Sequence, residues 1–307
     1  MSPFFFKEIF TYPIKNGGGT MKKRIYLSSV FLVLILLILT VYAGEKSKNI
    51  MLLFDIKDYN KEIESAIDFF FTKALGSNDQ LIIMTPANKL LSYSSKVISE
   101  SREKINKEVK DTIKKHTSMS GANYRNVYTQ MLSIVDEIRR SPTGQDAQDV
   151  KGLIAGYENN REELRMTRRI NEELLLKFSD VFKRSKKVTG DTENHIYLFF
   201  QKENRPVPDK DTMNILRENQ QIAFKVMEVF LEERSKIDFA SEKIGEEFKK
   251  AEVQFNFVYI NPKKFSTRRY QLIDNSGDFY SAMSKIVEIT GGKKVTTTTP
   301  KIIFEDN

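Results

Sequence analysis

The sequence contains no cysteine. That absence excludes a disulfide framework, a thiolate metal centre, a cysteine nucleophile and a lipid-modified amino-terminal cysteine. Histidine is almost as scarce. His116 and His195 are the only two and fall in different expected elements, so a zinc centre built on them is not expected. There is no Gly-x-Ser-x-Gly nucleophile elbow. The TGGKK stretch (290–294) has its glycines at the end of a helical pattern, not between strand and helix as a phosphate loop requires. Base without accompanying acid is missing as well. The net charge is +8, but residues 1–43 hold +4 of it, and the other 264 residues mix acids with bases, as in EEFKKAE (246–252). A nucleic-acid surface calls for clustered base, so nucleic-acid binding is not expected.

What is present describes a globular chain of 307 residues, 40% apolar and 29% charged. A leader begins at Met21. Lys22, Lys23 and Arg24 precede an apolar core, Val30 to Leu39, and Val41 and Ala43 suit a cleavage site after Ala43. The alternative is an uncleaved membrane anchor over Tyr26–Ala43, whose 18 residues are at the short edge of a span. Either way residues 21–43 predict export from a bacterial-type cytoplasm, to the periplasm or beyond. Residues 1–20 are read as a mis-assigned upstream extension, because NGGGT before Met21 is what a purine-rich ribosome-binding site gives when translated.

The exported region alternates strands and helices. Residues 49–56, 79–86, 195–201 and 253–262 read as buried strands, 89–95 as an edge strand in a hairpin, and 296–304 as a closing strand. Helices are expected over 60–75, where Ile63, Ala66, Ile67 and Phe70 share a face, over 96–117, and over 127–140 after a break at SMSGANYRN (118–126). A charged helix or helical hairpin over 146–187, a long helix over about 210–235 with a second helical stretch to about 250, and a last helix over 278–295 complete the order. That last helix is expected to bury Phe279, Met283, Ile286 and Val287 and to be capped by Gly291-Gly292. KENRPVPDKD (202–211) and the basic NPKKFSTRR (261–269) read as loops, and the Asx-rich GSNDQ and DNSGD as turns in place of calcium loops. The pattern predicts an α/β fold: a three-layer sandwich with a doubly wound, mostly parallel sheet, as one domain over 48–304 with a helical insertion at about 146–190.

Three stretches carry a resemblance. The apolar run Ile50–Phe54 leads into Asp55, SGANYRNVYTQML spans 120–132, and FYSAMSKIVEITGGKKV spans 279–295. In order and spacing they resemble the von Willebrand factor type A domain, over about residues 48–304 apart from the insertion. Members of that family often bind Mg²⁺ at the carboxyl ends of the strands through a carboxylate, two first-loop hydroxyls, a threonine and an aspartate. On that pattern Asp55 keeps the carboxylate, the two serine positions are Lys57 and Tyr59, and the threonine position is Ala122, beside Asn123. The second carboxylate falls near Lys202-Glu203. The resemblance therefore implies a degenerate metal site, with no cofactor. An ammonium of Lys57 or Lys202 then stands near the lost metal charge and pairs with Asp55, unless both lysines are ordinary exposed loop residues. It also implies a partner-binding rim of Asp55, Lys57, Asp58, Tyr59, Asn123, Tyr124, Lys202 and Glu203. The expected function is non-enzymatic binding of another protein in the cell envelope or outside the cell. The alternatives are a Mg²⁺-dependent adhesion domain with an atypical ligand set, and an envelope hydrolase.

Overall fold

The computed structural model describes residues 47–140, 142, 147–189, 192–231, 239–261 and 269–305. The leader and the upstream residues, together with most of the basic 261–269 stretch, lie outside them. At the centre is β1 (Lys48–Asp55), apolar on both faces because it is covered on both. It pairs in parallel with β2 (Gln80–Met84) and β4 (Glu193–Gln201). β4 pairs in parallel with β6 (Val253–Ile260), and β6 with β8 (Lys294–Thr297). The one antiparallel member is β3 (Leu90–Tyr93), hairpinned to β2, and the six-stranded order is β3-β2-β1-β4-β6-β8. The chain is thus mixed α/β, with a mostly parallel sheet flanked by helices.

Alternate residues of each strand feed two apolar clusters. Met51, Leu53, Leu198, Phe200 and Phe257 pack against α4 (Glu172–Thr189), α7 (Ser241–Lys250) and α8 (Gly277–Thr290). Ile50, Leu52, Phe54, Tyr197 and Phe199 pack on the other face. There they meet α1 (Lys61–Phe69, prolonged by a π turn, Phe70–Ala74), the first half of α2 (Ser95–Arg140), and the 3₁₀ turn Pro300–Phe304. The faces expected for α1 and α8 are the buried ones, and Gly291 closes α8 with φ 69°, a left-handed cap.

A third cluster stands apart from the sheet. The second half of α2, α3 (Ala147–Met166), α5 (Lys210–Glu218) and α6 (Ala223–Val226, with a π turn Met227–Leu231) bury Met131, Val135, Ile154, Tyr157, Leu216 and Phe230. A two-stranded antiparallel ribbon joins it to the sheet: β5 (Asn204–Pro208) with β7 (Tyr270–Asp274). Arg205, buried in this cluster, donates to the carbonyls of Val229 and Phe230 at the end of the π turn.

Several expectations are corrected. Residues 118–126 do not break α2, which runs unbroken except for a kink at Ser101 (φ −143°, ψ 28°). A helix-interior glycine costs only about 1 kcal/mol, which tertiary contacts outweigh. The 146–187 region is two helices, the second of the two alternatives expected there, but α4 is not an appended piece: Leu175, Phe178, Val181 and Phe182 belong to the sheet core. KENRPVPDKD holds β5, whose two prolines are tolerated because a two-stranded ribbon is all edge. The helix expected from 210 ends at Glu218, and strand pairing at the chain's end stops at Thr297, before Pro300 starts a 3₁₀ turn.

Candidate functional site

Asp55 ends β1, level with Phe200 of β4, so it sits at the carboxyl end of the sheet's centre, where crossover loops gather. It is buried, and both its oxygens are engaged. Oδ1 accepts from Lys57 Nζ at 2.8 Å. Oδ2 accepts two backbone N–H groups, from Arg169 at 2.8 Å and Ile170 at 3.3 Å. These belong to the bend between α3 and α4, so a side chain of the first strand holds down a turn 114 residues later.

Lys57 is 5% exposed. Its ammonium also donates to the Thr167 carbonyl at 3.3 Å and lies 3.7 Å from Glu203 Oε1, with the Tyr124 ring centroid 6.0 Å away. The first loop is fixed by Gln201, whose Oε1 accepts from the backbone N–H of both Lys57 and Asp58 at 2.8 Å. It is fixed again by α2. A Cβ added to Gly121 would lie 2.5 Å from the Lys57 carbonyl oxygen, so only glycine permits this approach. Gly121→Ala is accordingly expected to destabilise by about 1–2 kcal/mol, the strain of overpacking exceeding the gain in helix propensity. A lowered midpoint in urea at unchanged slope checks this.

Glu203 follows β4 and is fully buried. Its Oε2 accepts from Arg168 Nε at 2.9 Å. Burial pushes the Glu203 carboxyl above the usual range in spite of Arg168 and Lys57. The Arg168 guanidinium continues to Asp278 Oδ1 (3.5 Å) and the Asn275 carbonyl (2.6 Å), and lies 5.7 Å from the Phe279 ring centroid. Burial alone would lower its pKa, but Glu203 and Asp278 outweigh burial and hold it raised. Arg165 approaches Asp278 at 3.7 Å. The result is a lattice of three acids and three bases, interior at Asp55, Lys57 and Glu203 and partly exposed at Arg165 and Asp278.

Of the residues expected on a rim, the fold brings Asp55, Lys57, Glu203 and Tyr124 together, but the first three lie inside the protein, not on a surface. Tyr124 donates its hydroxyl to the Asn204 carbonyl at 3.3 Å. Asp58 and Asn123 are exposed. Lys202 does not reach Asp55. It pairs with Asp274 at 2.9 Å, because the chain enters β5 and places Asn204 opposite Asp274. Tyr59 turns the other way, into a cleft of about 380 Å³ between α1 and α2, lined also by Glu64, Lys107, Lys110, Asp111 and Lys114. Arg168, Asp278, Asn275 and Gln201 belong to the site and were not foreseen. The sequence signals near them are the Asx-rich DNSGD turn, which holds Asn275 and Asp278, and the Asn171 cap of α4, whose Oδ1 accepts from the Leu174 N–H.

The donor set does not fit Mg²⁺. A hard octahedral cation needs several free oxygen ligands. Here the lone first-strand carboxylate already carries an ammonium and two amides, and a divalent ion would face the Lys57 charge. Among the described residues, no three histidine or acidic side chains are grouped so that they could hold a metal ion. No protein-family model, no curated protein and no solved structure matches this chain.

Proposed function

We propose that this chain is an exported, non-enzymatic protein-interaction module of von Willebrand factor A type, metal-independent, that engages a partner through the surface at the carboxyl ends of its strands. The observation that carries this reading is the Lys57 ammonium, 2.8 Å from Asp55, which supplies inside the protein the positive charge that a cation supplies elsewhere. Support also comes from the carboxylate at the end of a central parallel strand and from the glycine of SGANY packed on the loop that follows it. Around this interior lie exposed Asp58, Asn123 and Arg125, with two exposed methionines: Met119, two residues from Gly121, and Met166, next to Thr167. Methionine adapts its shape to a partner surface.

The test uses the full chain. Its melting temperature is expected to agree within about 1 °C in Mg²⁺ and in chelator, since only an ion that binds the folded state raises stability. Capture of envelope proteins on the immobilised chain is expected to survive chelation and to weaken with Asn123→Arg. A Mg²⁺-dependent rise in melting temperature would move the assignment to the metal-dependent adhesion domain. Capture that Asn123→Arg leaves intact would move the contact surface elsewhere.

A further inference from the structure

We propose that Glu203, Asp278, the Asn275 carbonyl and the Phe279 ring form a guanidinium receptor, filled within the chain by Arg168 and open to exchange with an arginine side chain of the partner. This rests on the interaction-module reading and names the chemistry of its partner.

Three acceptors from two parts of the chain converge on one planar fork: Nε on Glu203, Nη1 on Asp278, and Nη2 on Asn275 O. An aromatic face lies beside it. Guanidinium satisfies divergent acceptors in one plane and stacks on rings, whereas a lysine ammonium is a point charge on a thin stem. The receptor is larger than its present occupant uses. Glu203 Oε1 and Asp278 Oδ2 are buried without a hydrogen-bond donor, and the Asn275 amide nitrogen is buried without an acceptor. Lys57 and Arg165 approach those oxygens at 3.7 Å, an ion-pair distance too long for a hydrogen bond.

The two sides differ in how they are built. The acceptors lie where β4 leads into β5 and at the entry to α8, tied by Glu203 N–H to Ser276 Oγ and by Asn275 N–H to the Glu203 carbonyl. Arg168 lies on a short bend, between the end of α3 at Met166 and Asn171, which caps α4. Beyond Arg168 itself, that bend is tied to the sheet by its two amides on Asp55 and by the Thr167 carbonyl on Lys57. An incoming arginine replaces like for like, so exchange costs few hydrogen bonds, and exposed Met166 beside the bend adds apolar contact.

Chemical rescue tests the receptor. Arg168→Ala empties it and is expected to melt lower than the parent chain. Millimolar ethylguanidinium should recover roughly 2–4 °C of that loss, a shift expected of a ligand present at several times its Kd. Ethylammonium should recover none, and Arg168→Ala/Glu203→Gln should not respond. Recovery by ethylammonium, equal recovery in the double variant, or no recovery would overturn the receptor. Should Arg168→Ala fail to fold, exchange measured in the parent chain carries the test. Exchange is read in the parent chain: N-acetyl-arginine amide should speed amide hydrogen exchange at Arg169 and Ile170, and N-acetyl-lysine amide should not. Unchanged rates would overturn exchange with a partner. A Mg²⁺-dependent melt sinks the metal-free reading without touching the rescue, and a failed rescue leaves that reading standing.

Discussion

Lys57→Met is expected to cost about 3–5 kcal/mol of folding stability, because it strands the Asp55 charge inside the protein with only backbone amides to hold it. Methionine nearly matches the lysine stem in length, so loss of packing contributes little. The diagnostic is a double-mutant cycle by urea denaturation. Asp55→Asn keeps an oxygen for the Arg169 and Ile170 amides and leaves Lys57 its place near Glu203. The double variant Asp55→Asn/Lys57→Met removes both charges together. Its loss is expected to fall short of the sum of the single losses by about 2 kcal/mol, within the range measured for contacting pairs. Additive losses would mean that the two groups do not act as a pair.

Gly292→Ala is the other large effect, expected to cost at least about 3 kcal/mol or to prevent folding. A Cβ there would lie 2.0 Å from the Phe255 carbonyl oxygen and 2.7 Å from its carbon, both backbone atoms of β6. Phe255 cannot retreat easily, since it is paired with Ile196 on β4 and its N–H is held by Thr290 Oγ1. The neighbouring Gly291 is the control. Its φ of 69° disfavours a side chain, but nothing lies within 4 Å of the added atom. Gly291→Ala should therefore cost only about 1 kcal/mol. Comparable losses from the two substitutions in thermal melts would refute the steric account.

The strands were legible where burial on both faces left an unbroken apolar run, as in Ile50–Phe54 and in HIYLFF, and α8 was legible because its glycines and its apolar face agree. The same logic misled at Gly121. A glycine that ends a helix and one that lets a helix approach a carbonyl look alike in sequence, since both need only the lack of a Cβ. Pro206 and Pro208 hide β5 in the sequence, since proline lacks a ladder donor, a penalty that vanishes on an edge. Lys57 could be placed near Asp55 because the two are two residues apart on one loop. Lys202 could not, because its partner is settled by the register of a ribbon that the sequence hides. Arg168 meets groups 35, 107 and 110 residues away, and only the folded chain brings them together.

Beyond the kink at Ser101, α2 continues to Arg140 as a rod of about 59 Å. One half lies against the sheet and the other anchors the third cluster, and the close contact at Gly121 falls near its middle. That contact ties the sheet core and the third cluster to one shared backbone point, the Lys57 carbonyl on the loop that carries the buried ion pair.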